Sequence, residues 1–171
     1  MKTLLMALAL VFLGLPVGQA GTLDKQLDGK LLRLEKGKLV KLPAGALAGK
    51  KYLLFYYSAS WCPPCHLFTP VLSERYTKLK AKHPEFELIL VGMDYNAADH
   101  AAYVRDFSMP FAILAYDEIK NFPVLEKLSG TGIPYLVVTD LDGKELIGRG
   151  AKDVRFAGDV WDAFEAMLKG K

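Results

Sequence analysis

KYLLFYYSASWCPPC, Lys51 to Cys65, joins an almost unbroken apolar and aromatic run to the only two cysteines of the chain. A run without polar alternation is expected of a central strand buried on both faces. Beyond the cysteines, Leu67, Val71, Leu72, Tyr76 and Leu79 recur at helical spacing, and Lys78, Lys80, Lys82 and Pro84 mark the end of that helix. The cysteine pair thus sits where a buried strand turns into a helix.

Working outward, Leu31 to Leu42 alternates apolar and charged residues around Lys36-Gly37, which reads as two short strands and a turn. Phe86 to Asp94 reads as a second buried strand, and Asn96 to Phe107 as a helix. Phe111 to Tyr116 gives a short extended segment and Asn121 to Gly130 a short helix. Pro134 to Gly148 reads as a hairpin with Asp142-Gly143 at its turn. Asp153 is placed to cap a last amphipathic helix carrying Val160, Trp161, Phe164 and Leu168. Strands alternating with helices, ending in a hairpin and a helix, predict an α/β fold: a three-layer α/β/α sandwich on a mixed central sheet.

Hydrophobic residues make up 51% and charged residues 24% of the 171 residues, the balance of a folded globule. The net charge of +3 is spread along the chain with no basic stripe, which argues against nucleic-acid binding. Residues 1–20 differ from the rest. Lys2 precedes an uncharged apolar run from Leu4 to Leu15, Pro16 breaks it, and small residues stand at Gly18 and Ala20. This is the pattern of a secretory signal peptide cleaved after Ala20, and the run is shorter than the about 20 apolar residues of a membrane span. The expectation is a mature domain over 21–171, working in a periplasm or after secretion, where disulfides persist.

Three chemistries explain two thiols at this spacing. A structural staple is weak, because closing a four-residue ring stabilises by only roughly 2 kcal/mol before strain is subtracted. A zinc site wants a second cysteine pair, and none exists. His66, His83 and His100 are the only histidines, and each reads as a solvated surface residue, so no metal ligand set is assigned and copper carriage is weakly supported. A redox pair fits the surroundings. Cys62 is expected at a helix N-terminus, where free N–H groups and the macrodipole favour a thiolate. Pro63 and Pro64 suit a first helical turn and stiffen it. Lowering a thiol from about 8.5 to about 7 needs roughly 2 kcal/mol, within reach of such a site. Cys65, one turn further in, is expected to be more buried and to act second.

The segment YYSASWCPPCHLFTPVL resembles the thioredoxin superfamily, most closely its tryparedoxin and nucleoredoxin branch; MPFAILAYDE and TGIPYLVVTDLDGKEL are similar to that branch in the same order. The resemblance covers about Leu31 to Gly150. It implies that Cys62 attacks a substrate disulfide and Cys65 resolves the mixed disulfide. It also implies that Trp61 flanks the site and that Pro134 is a cis-proline whose neighbour Ile133 offers its backbone to an extended substrate. Two positions depart from thioredoxins proper. Tyr56 stands where a buried acid assists the second cysteine, which leaves the proton acceptor of Cys65 unassigned. His66 stands where a basic residue is usual, and its fractional charge at neutral pH would make thiolate stabilisation pH-dependent.

Asp94, Asn96 and Asp99 lack the glycine and terminal glutamate of a calcium loop and read as a strand end with a helix cap. Trp161 and Phe164 read as core. Phe68 occupies the place of the glutamate usual in membrane-anchored cytochrome-maturation reductases. The sequence therefore points to a secreted or periplasmic thiol-disulfide oxidoreductase. It needs no cofactor beyond its own disulfide, acts on protein disulfides or dithiols, and is recycled by a second redox protein, membrane-bound if the compartment is a periplasm. A monomer is expected. The rival from another class is a thioredoxin-fold module that binds copper or a protein without turnover.

Overall fold

The computed structural model describes residues 22–149, 151 and 154–170. The expected signal peptide and the expected cap at Asp153 lie outside them. The elements are α1 (Thr22–Leu27), β1 (Leu31–Glu35), β2 (Lys38–Lys41), β3 (Tyr52–Ser58), α2 (Pro63–Lys80), β4 (Phe86–Gly92), α3 (Ala97–Asp106), β5 (Ala112–Leu114), a 3-10 helix (Tyr116–Asn121), α4 (Pro123–Leu128), β6 (Tyr135–Thr139), β7 (Glu145–Ile147) and α5 (Ala157–Lys169).

The strands form one seven-stranded sheet in the order β2-β1-β5-β4-β3-β6-β7. Parallel pairs β3–β4 and β4–β5 sit at its centre, with antiparallel pairs β1–β5 and β1–β2 on one side and β3–β6 and β6–β7 on the other. Every residue of β3 is buried, which is why its sequence shows no alternation. The pleat sends Tyr52, Leu54 and Tyr56 to one face, against side chains of α2, α3 and α5. Leu53, Phe55 and Tyr57 go to the other, against α1 and α4. The expected three-layer sandwich on a mixed sheet is the observed fold. At the β6–β7 turn Gly143 takes φ +83°, a left-handed conformation that glycine adopts without strain.

The buried side of α2 differs from the expected one. It runs Cys65, Thr69, Leu72, Tyr76 and Leu79, while Leu67 and Val71 are 80% and 52% exposed. Leu67 lies two residues from both Cys65 and Thr69, about 200° around the helix, so apolar character alone assigned the wrong face there. The last helix also opens later than expected. The carboxylate of Asp159 accepts the N–H groups of Arg155 and Phe156, each at 2.8 Å, and these two bonds hold its carboxyl below the usual range.

Candidate active site

Strand β3 ends at Ser58, and Cys62 closes the following turn by donating its N–H to the Ala59 carbonyl at 3.2 Å. Cys62 is the N-cap of α2, with Pro63 and Pro64 in the first turn, where absent N–H donors leave no helical bond unmade. Cys62 and Cys65 are joined as a disulfide. The Cys62 sulfur accepts the N–H of Cys65 at 3.2 Å, so a helix-terminal donor already points at the atom that would carry thiolate charge. Cys65 is fully buried and Cys62 is 3% exposed.

The loop before β6 comes to the same sulfur. The Ile133–Pro134 peptide bond is cis, and the Ile133 carbonyl oxygen lies 3.7 Å from Cys62 Sγ. An open groove of about 420 Å³ passes over the disulfide, lined among others by Trp61, Cys62, Pro64, Met93, Thr131 and Ile133. The expected residues Trp61, Cys62, Cys65, Ile133 and Pro134 are therefore gathered at one place, from segments about 70 positions apart in the chain.

Trp61 is held rather than merely adjacent. Its indole N–H donates to the Met93 carbonyl at 3.1 Å, and its ring stacks on Tyr95 at 5.6 Å. The backbone N–H of Ser60 donates to Asp94 Oδ1 at 2.8 Å. The end of β4 thus clamps the redox loop, a contact that sequence reasoning missed, while the expected strand end and helix cap are observed, with Asn96 accepting the Asp99 N–H at 2.9 Å. His66, expected foremost as a solvent-facing helix residue, is exposed, with Nε2 2.5 Å from the Ser60 carbonyl. Its ring packs on Phe107 and Tyr103 at 5.0 and 5.8 Å.

His100 corrects the sequence expectation most plainly. It is not a solvated surface residue but 1% exposed, in a space that exists because residue 92 has no side chain. A Cβ on Gly92 would lie 2.0 Å from His100 Nδ1. His83 is half-buried beside Glu85, also not fully solvated. Burial pushes the His100 imidazole below its ordinary value, with the Asp94 carboxylate opposing, so the ring is neutral at neutral pH. Among the described residues, no three His, Cys, Asp or Glu side chains gather around a common point able to hold a metal ion.

Beneath Cys65, four buried hydroxyls replace the carboxylate that the sequence lacks. Tyr56 meets Thr69 at 2.8 Å, Thr69 meets Tyr103 at 2.7 Å, Tyr103 meets Ser58 at 2.7 Å, and Ser58 donates to Tyr56 at 3.0 Å. Thr69 also donates to the Cys65 carbonyl at 2.8 Å. Burial, more than any neighbour, raises the Tyr56 phenol far above the ordinary tyrosine range, so it stays protonated and is no base.

Residues 49–145 match the family model described as Thioredoxin-like. The chain belongs to the thioredoxin-like family. It is 39% identical over 131 residues to tryparedoxin of Trypanosoma brucei brucei, covering 76% of this chain and 87% of that protein. It is 35% identical over 104 residues to nucleoredoxin of Xenopus laevis, covering 60% of this chain but only 25% of the relative. A solved tryparedoxin II complexed with glutathionylspermidine superposes with a TM-score of 0.62 at 30% identity, covering 80% of this chain and 88% of that one. This thioredoxin-like chain is a thiol-disulfide oxidoreductase, similar to members of the tryparedoxin and nucleoredoxin branch.

Proposed function

We propose that the chain exchanges disulfides with protein substrates outside the cytosol, as a mature domain over residues 21–171. The observation that carries the reading of the site is the setting of the Cys62 sulfur. It receives the Cys65 N–H at the start of α2, faces the Ile133 carbonyl, and borders an open groove. In the reduced protein the Cys62 thiolate attacks a substrate disulfide. The substrate sulfur bonded to Cys62 remains attached, and its former partner leaves as a thiolate that takes up a proton. Cys65 then attacks Cys62, forms the internal disulfide and releases the second substrate thiol. Two electrons pass from the dithiol to the substrate, and no metal or nucleotide enters the balance.

Trp61, Ile133 and Pro134 form the docking surface in this reading, with Ile133 offering backbone to an extended segment beside the sulfur. Pro63, Pro64 and His66 shape the turn that presents Cys62. A second redox protein regenerates the dithiol, membrane-bound if the compartment is a periplasm. The apolar segment Leu4 to Leu15 supports the extracytosolic location.

Cys62→Ser in a disulfide-reduction assay tests the chemistry. Loss of turnover is expected, and full activity would overturn the proposal. Cell fractionation with determination of the first residue of the purified protein tests the location; a cytosolic protein retaining residues 1–20 rejects it. The reduction potential gives the direction. A value near about −270 mV marks a reductant, and one of about −120 to −180 mV an oxidant or isomerase.

A further inference from the structure

The first turn of α2 is weakly tied to the rest of its own helix. Pro70 has no N–H, so the His66 carbonyl loses its usual donor four residues on. Holding Cys65 in place falls partly to the side chain of Thr69, whose hydroxyl reaches back to the Cys65 carbonyl from the buried hydroxyl cluster.

That cluster is short of protons. Tyr56, Thr69, Tyr103 and Ser58 form a closed ring of four contacts, and the Cys65 carbonyl makes a fifth acceptor contact. Each hydroxyl carries one hydrogen. Four hydrogens cannot fill five contacts. When Thr69 donates to Cys65, one ring contact is left without a hydrogen; when Thr69 donates into the ring, the Cys65 carbonyl loses this side-chain donor and keeps only the main-chain bonding of the helix. The two arrangements differ only by rotation of hydroxyls, with no change in charge. All four side chains are buried, so water does not make up the deficit from bulk.

We infer that Thr69 is a positioning residue for the resolving cysteine, its hydroxyl switching between the Cys65 carbonyl and the hydroxyl ring and so setting how readily Cys65 reaches Cys62. The inference rests on the dithiol reading above. The step it governs is the second one: Cys65 sulfur bonds to Cys62 sulfur, the bond from Cys62 to the substrate sulfur breaks, and the proton lost by Cys65 is matched by one taken up by the departing thiolate. Electrons and protons balance without any further reactant.

The cluster makes a prediction of opposite sign for two neighbours. Thr69→Val removes the hydroxyl that touches Cys65. Tyr103→Phe leaves three hydroxyls and three contacts, a satisfied chain from Ser58 through Tyr56 and Thr69 to the Cys65 carbonyl. A purely structural role would have both changes act in the same direction.

The experiment mixes the reduced protein with the chromogenic disulfide dithiobis-nitrobenzoate and follows release of coloured thiolate by stopped flow. The first equivalent reports attack by Cys62, the second reports resolution by Cys65. In Thr69→Val the second phase is expected to slow by about five- to tenfold, the equivalent of one net hydrogen bond, with the first phase unchanged. Thr69→Ser restores it, and Tyr103→Phe resolves at least as fast as the parent. An unchanged second phase in Thr69→Val, or slowing of both variants alike, overturns the inference. Should Thr69→Val fail to fold, Tyr103→Phe decides alone: a resolution step more than about twofold slower than the parent rejects it, and an equal or faster one sustains it. Absence of both phases in the parent protein would reject the dithiol reading instead.

Discussion

Nδ1 of His100 lies 3.6 Å from Oδ2 of Asp94, with both side chains closed off from solvent behind the loop that carries Trp61 and Cys62. The other oxygen of Asp94 holds the Ser60 N–H, so a buried ionisable pair stands directly behind the redox loop. Tyr116 completes the enclosure, with its ring 5.7 Å from that of His100 and its hydroxyl donating to the Asp94 carbonyl at 3.0 Å.

Because burial depresses the His100 value in the folded state, the unfolded chain binds a proton at a pH where the folded chain does not. Stability therefore rises with pH across that interval. The contribution is whole above the unfolded value of about 6.5, is lost as the pH falls below it, and levels off once the folded value is passed. Urea midpoints at about pH 7.5 and about pH 5 are expected to differ more for the parent than for His100→Leu. Equal differences would show that His100 is not held neutral.

Gly92→Ala is expected to destabilise by about 1–3 kcal/mol, since the new Cβ would meet the His100 ring at 2.0 Å. The ring is buried. Combining Gly92→Ala with His100→Ala should cost less than the two losses added, because the second change vacates the space that the first one needs. Strict additivity in denaturant unfolding would reject the contact.

Cys65→Ser should accumulate a covalent adduct with a protein disulfide substrate. Cys62 remains at the groove, while the group that would release the substrate is gone. A non-reducing gel shows the adduct as a shifted band that a reductant dissolves, and Cys62→Ser in the same chain removes it. A shifted band that persists without Cys62 would place the attack elsewhere.

Two apolar residues should respond to removal with very different losses. Trp161 is fully buried, edge-on to Phe86 and Phe164 at 6.2 and 6.3 Å, and its indole N–H donates to Glu165 at 2.6 Å. Trp161→Ala is expected to cost about 3–5 kcal/mol. Leu67→Ser, at a position 80% exposed, should change stability by less than about 0.5 kcal/mol. Denaturant midpoints of the two variants check both values.

Much of the architecture was legible because it is local. The unbroken apolar run of β3 announces burial on both faces, Lys36-Gly37 and Asp142-Gly143 announce turns, and Cys62-Pro63-Pro64-Cys65 announces a helix start bearing two thiols. Leu67 and His100 were misplaced for one common reason. Residue type gives an average tendency, but burial is decided by the neighbouring element: α2 turns Thr69 and not Leu67 to the sheet, and the missing side chain at Gly92 opens a place for an imidazole.

By itself the sequence determined the order of most elements, α1 and the 3-10 helix excepted, and the place of the cysteine pair at a strand-to-helix junction, since these depend on spacing within about twenty residues. Only the tertiary structure decided what surrounds that pair. The Ile133 carbonyl reaches Cys62 because β6 lies antiparallel beside β3, and Tyr103 reaches Thr69 because α3 packs on the same face of the sheet as α2. Asp94 reaches Ser60 because β4 runs parallel to β3 and ends level with it. Periodicity tells a residue which way it faces on its own strand or helix. The partner it meets there depends on sheet order and helix packing, which bring together residues that share no local signal.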